Sequence, residues 1–161
     1  NNALWFRPYA TFESVSLKNG PKVTNFAYGD AGGFTQPAEH LTGIVKKDKI
    51  LGEVKSLLAG RAAEEVIKGY ITTGASNDLK KAKAILKSYY EIYNFEKYDA
   101  EKLDQLVIDK IDELYTSIVT DFKDTTNLKI LNDLIASLSA KRTLYSSDIS
   151  TLVAGIRKVT F

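Results

Sequence analysis

Apolar and polar residues follow one another in two different rhythms along this chain, and the change falls near residue 45. Before it, residues 12–17 (FESVSL), 22–28 (KVTNFAY) and 33–36 (GFTQ) are short β-prone pieces. They are separated by Asn19-Gly20-Pro21 and by Gly29-Asp30-Ala31-Gly32, both turn chemistry. From about Lys47 onward the apolar residues recur at intervals of three and four, the period of a helix with one buried face. The first set is Ile50, Val54, Leu57 and Leu58, and the second Leu79, Ala82, Leu86, Tyr89 and Tyr93. A third runs through Leu103, Val107, Ile111, Leu114, Ile118 and Phe122, and a fourth through Leu128, Leu131, Leu134, Ile135 and Leu138. A fifth holds Ile149, Leu152, Val153 and Ile156, with Ser146 or Ser147 as its natural N-cap. No repeat, low-complexity tract or Pro/Gly/Ser-rich linker divides the chain. The pattern predicts one α+β domain over residues 1–161, mainly α. A small antiparallel sheet with hairpins near the N-terminus (1–45) is followed by a bundle of about five helices (46–161).

Composition narrows the chemistry. A chain of 161 residues buries roughly 68–70% of its unfolded surface, enough for a core without staples. The 22 Lys and Arg stand interleaved with 20 Asp and Glu, which excludes nucleic acid as the main partner. The close group Tyr89, Tyr90, Tyr93 and Tyr98 has helical spacing and reads as packing rather than a base-stacking platform. No apolar run nears the roughly 20 residues that span a bilayer, and no signal peptide opens the chain; the piece itself is expected to be soluble. With no Cys there is no disulfide, thiolate zinc site or cysteine nucleophile, and one His excludes a two-His metal site within these residues. The absence of Met reads as a fragment or a processed product.

Candidate chemistry is sparse. The turn Gly29-Asp30-Ala31-Gly32-Gly33 lacks the Lys-Ser/Thr ending of a phosphate loop and precedes a β-prone stretch, so it reads as a hairpin turn. His40 reads as an ordinary exposed loop residue. Residues 58–65 (LAGRAAEE) combine small side chains, which let another backbone approach, with Glu64 and Glu65 on adjacent helix faces. Taken alone, these fit an Arg61 surface pair with Glu64 or Glu65. Residues 71–79 (ITTGASNDL) read as a turn into a helix with Ser76 as N-cap. Asp78 then lies in the first turn, where the helix dipole and free amides favour a carboxylate. Such an acid either stabilises the helix start or serves as a metal ligand.

Together, Gly60-Arg61-Ala62-Ala63-Glu64-Glu65 and Thr72-Thr73-Gly74-Ala75-Ser76-Asn77-Asp78 closely resemble the peptidase domain of FtsH-type AAA+ zinc metalloproteases. Gly33-Phe34-Thr35-Gln36-Pro37 resembles the strand that precedes this helix in that family, and residues 131–152 resemble its C-terminal helices closing on a short turn. The likeness is strongest over residues 33–87.

It implies that Asp78 is the third zinc ligand, that Glu64 is a carboxylate beside the metal, and that Gly33, Phe34 and Thr35 form the strand that receives substrate. It also implies unfolded protein substrates, a hexameric homo-oligomer, ATP and Mg2+ acting only through an AAA+ domain outside this chain, and a place on the cytoplasmic side of the bacterial inner membrane or its organelle equivalent. Membrane attachment would come only from a part of the parent absent here.

The family's two zinc-binding His and its catalytic Glu, the HExxH motif, have no counterpart in these residues. In one register the motif lies just upstream of Asn1 and Arg7-Pro8 is a loop. In the other it maps onto residues 3–7, Pro8 falls in or at the end of a helix, and the protein is a pseudopeptidase serving as a non-catalytic scaffold of an AAA+ complex. The first is the better fit, at the expense of an extra hairpin over residues 18–28. A second departure follows Tyr93, where the family's longer segment shrinks to residues 94–100. The expectation is a zinc endopeptidase domain for unfolded or membrane proteins that is inactive, and without zinc, as these residues alone.

Overall fold

A computed structural model describes the backbone of residues 12–17 and 33–37, together with residues 43–71, 73, 76–141, 143–145, 148 and 151–152. Four long helices dominate it. Helix α1 (Lys47–Lys68) is the central one, since from residue 50 to 63 only Glu53 and Arg61 escape full burial. A helix covered on nearly every side must be small or apolar around its whole circumference. Gly52, Ser56, Ala59, Gly60, Ala62 and Ala63 meet that need. Gly69 ends the helix in the left-handed region at φ 77° and donates its amide to the Glu65 carbonyl, a turn that suits glycine.

Helix α2 (Ser76–Glu91) and helix α3 (Leu103–Lys123) both pack on α1 and on each other, and helix α4 (Thr125–Lys141) packs on α3. α3 buries Leu103, Val107, Ile111, Leu114, Ile118 and Phe122, the same six residues whose spacing announced it. Between α3 and α4, Asp124 Oδ1 accepts from the amides of Thr126 and Asn127, an N-cap that lets the chain reverse within one residue. Buried Asn127 in turn donates to the Asp121 carbonyl. The mainly helical expectation agrees with this architecture.

Strands β1 (Phe12–Leu17), β2 (Gly33–Pro37) and β3 (Thr143–Tyr145) form an antiparallel sheet in the order β2-β1-β3. Val15 pairs with Thr35 on one side and with Leu144 on the other, and the register shifts once, between Phe12 and Ser14. β3 is the departure from expectation: residues 143–145 belong to the sheet, so the strands are not confined to residues 1–45. Three residues give too short a stretch for alternation to register, and buried Leu144 is its only inward anchor among the described side chains.

Two further expectations shift. Helix α2 ends at Glu91, so Tyr93 lies past it and is 53% exposed rather than on the buried stripe. Of the fifth helix, residues 148, 151 and 152 are helical, while the remainder, like the 22–28 strand, the 29–32 turn and His40, lies outside the described residues. Among the described residues no helix is long and apolar enough to cross a membrane.

Candidate functional site

The first motif string lies on α1, and the end of the second, Ser76-Asn77-Asp78, opens α2. Glu64 and Glu65 sit near the C-terminal end of α1, Asp78 lies in the first turn of α2, and the two helices pack directly together. Glu64 and Asp78 are both half-buried, and each has a polar or charged partner. Ser76 differs from the expected N-cap. It is the first helical residue, and its hydroxyl donates to the Thr73 carbonyl at 2.7 Å. The strand holding Gly33, Phe34 and Thr35 is at an edge of the described sheet, with β1 on its one described side.

Zinc needs three or four donors in a tetrahedral shell. Among the described residues no group of three or more His, Cys, Asp or Glu side chains stands close enough to hold a metal. The described residues by themselves therefore do not fit a zinc ion.

What the structure adds is a polar brace that sequence reading missed. Tyr115, on the flank of α3, donates its hydroxyl to Glu65 Oε1 at 3.1 Å. Burial first, and then the Glu65 carboxylate, push the Tyr115 hydroxyl up to about 12, although hydrogen bonding and charge from Arg61 oppose the rise. Arg61 and Glu65, expected as a surface pair, thus both meet a side chain reaching across from α3.

Lys55, with no exposed surface, reaches the same stretch of α3 and donates to Ser117 Oγ at 3.0 Å. Burial holds its ammonium below the ordinary lysine value, while Asp121 and Glu113 resist that fall. The only sequence signal for Lys55 is a charge standing among residues 50–60, a run otherwise apolar or small except for Glu53.

A second polar centre locks the α2–α3 junction. Glu96 accepts a hydrogen bond from the Tyr89 hydroxyl, lies 3.0 Å from Lys110 Nζ and 3.9 Å from Lys47 Nζ, and so ties α2, α3 and the start of α1 together. Burial pushes the Glu96 carboxyl up, but the bonds from Tyr89 and Lys110 outweigh it and hold the group below the usual carboxylate value. Tyr89 and Tyr90 are both raised, first by burial and then by Glu96. Their rings stack edge to face at 5.0 Å, Tyr89 meets Phe95 at 5.5 Å, and Tyr90 meets Tyr98 at 5.9 Å. Tyr89 and Tyr90 are buried packing residues on α2, as their helical spacing indicated, while Tyr93 and Tyr98 lie in the short non-helical segment after it.

Comparison with known proteins agrees with the motif strings. The profile of peptidase family M41 matches residues 15–98, just over half of the chain. A protein of Leptotrichia buccalis described as ATP-dependent zinc metalloprotease FtsH is 29% identical over 154 residues, covering 83% of this chain and 20% of the relative. One of the same description from Streptobacillus moniliformis is 31% identical over 153 residues, 83% of this chain and 22% of its own length. Another, from Sulfurovum, reaches 52% over 48 residues, 30% of this chain and 7% of the relative. The chain spans about a fifth of the length of the first two.

Proposed function

This chain belongs to peptidase family M41, and from that premise we propose that it is the proteolytic domain of an FtsH-type ATP-dependent zinc metalloendopeptidase acting on unfolded or membrane proteins. The observation that carries the reading is the pair of unbroken strings GRAAEE and TTGASND, the first on α1 and the second ending with Asp78 in the first turn of α2, which packs on α1.

In this reading Asp78 contributes one oxygen donor to the zinc shell and Glu64 stands beside it. The sequence holds a single histidine, so in this reading a two-histidine donor set is not complete within these 161 residues. Zinc, when bound, supplies Lewis acidity toward the scissile carbonyl and its attacking water. The polypeptide's own part is to present that one carboxylate and to position the substrate. The backbone of Gly33, Phe34 and Thr35 offers hydrogen bonds to an extended chain laid along the sheet edge, a mode indifferent to side-chain identity that suits degradation of many sequences.

Unfolding force comes from an AAA+ domain elsewhere that binds ATP and Mg2+, in a hexameric ring at the cytoplasmic face of the bacterial inner membrane or its organelle equivalent. Asp78→Ala in the complete protein is expected to abolish degradation of an unfolded substrate and to lower bound zinc. Undiminished proteolysis with full zinc content would overturn the proposal. If the unaltered complete protein forms a ring yet holds no zinc and cleaves nothing, the scaffold reading replaces it; the single histidine is the feature that favours that outcome.

A further inference from the structure

The stretch of α1 from Ala59 to Ala63 presents a mechanical problem. Helices usually key together because large side chains form ridges that fit the partner's grooves. At Ala59, Gly60, Ala62 and Ala63 there is little ridge to engage, and all four are buried. Van der Waals packing of these four sets the distance of α1 from its neighbours and adds little to setting its rotation, which is left to Leu57 and Leu58 before them and to the contacts made by the turns that follow. Successive residues of a helix leave it roughly 100° apart, so any error in rotation is passed in full to Glu64.

We propose that Tyr115 is a positioning residue that fixes this rotation. Its hydroxyl is bonded to Glu65, and Arg61, four residues back on the same stripe of α1, bears on the same hydroxyl. Two consecutive turns of α1 are thereby held to one point on α3. Lys55 meets α3 at Ser117, two residues from Tyr115, and secures the helix at a second place along its length. With Arg61 and Glu65 turned to α3, Glu64 is directed to another flank of α1. This inference rests on the metalloendopeptidase reading, in which the direction of Glu64 matters because it stands beside the zinc shell.

The test uses the complete, zinc-loaded protein and compares Tyr115→Phe, Glu65→Leu and Glu65→Gln, measuring kcat, KM, chelator-driven zinc release and the thermal midpoint. Glutamine keeps an oxygen that accepts from the phenol, so Glu65→Gln is expected to stay near the unaltered protein. Tyr115→Phe and Glu65→Leu are expected to lower kcat by about tenfold, the order of loss that follows a small misplacement at a reacting centre. KM should not change, and zinc release should quicken. A merely structural bond would lower the thermal midpoint while leaving turnover per folded molecule and zinc release intact, and that result overturns the proposal. Equal losses in Glu65→Gln and Glu65→Leu overturn it as well. Asp78→Ala is run beside them: if it stays active and zinc-replete, the metalloendopeptidase reading itself has failed, whatever the Tyr115 variant does.

Discussion

Helices α1 and α3 are of nearly equal length and pack against each other, yet they are built on opposite plans. α3 keeps its fully buried residues on one stripe, with partly buried side chains beside it, and turns its remaining positions to solvent. α1 is covered on nearly all sides and relies on smallness. The plan of α3 tolerates change on its outer face and is costly to cut from its inner one, because each buried side chain fills volume. That of α1 is costly to enlarge, because there is no direction in which an added group avoids a neighbour. The motif carboxylates Glu64 and Glu65 stand on the helix with the least freedom, Asp78 on α2 beside it, and α3 meets α1 through Tyr115 and Ser117.

The largest effect that would sharpen this contrast is expected at Phe122, 1% exposed at the end of the α3 stripe. Phe122→Ala should destabilise the domain by about 3–5 kcal/mol through lost burial and a residual cavity, read as a lower denaturant midpoint with an unchanged slope. Next comes Ala62, which has no exposed surface. Ala62→Leu should cost about 1–3 kcal/mol by overpacking, whereas Thr116→Leu on the exposed side of α3 should stay within about 0.5 kcal/mol. Equal costs at the two places would break the comparison.

Charge makes a subtler contrast. Lys55 on α1 is held below its ordinary 10.5, so the fold binds fewer protons there than the unfolded chain, and its contribution to stability grows as pH rises toward 10.5. Tyr115 on α3 is raised from 10.0 to about 12, so its contribution is whole below pH 10.0 and is lost as pH climbs toward 12. Tyr89 and Lys110 are also raised and act in the same direction as Tyr115. Unfolding free energy measured from pH 8 to 12 should therefore fall at the alkaline end. Tyr115→Phe should soften that fall, and Lys55→Met should remove the opposing rise. A steeper alkaline loss in Tyr115→Phe would contradict the assignment.

The same contrast explains what could be read in advance. α3 was legible residue by residue, because a one-sided stripe is what helical periodicity detects. α1 was legible as a helix through Ile50, Val54, Leu57 and Leu58, but its all-round burial was hidden in alanine and glycine, whose hydropathy says little about position. For the site, the motif strings revealed Glu64 and Asp78, while Tyr115, Ser117 and Glu96 were invisible because their roles depend on neighbours distant in sequence or on a short segment with no periodicity. β3 was missed because a three-residue strand exists only by virtue of its partner β1.

That pairing has a further consequence for how the domain assembles. Val15 faces Leu144 across the sheet, so one ladder joins the first described strand to the last and encloses every long helix between them. Closing so long a loop is entropically expensive and slow, whereas the helices and their junctions form from nearby residues. The helical part is expected to assemble first, with the β1–β3 clasp shutting late.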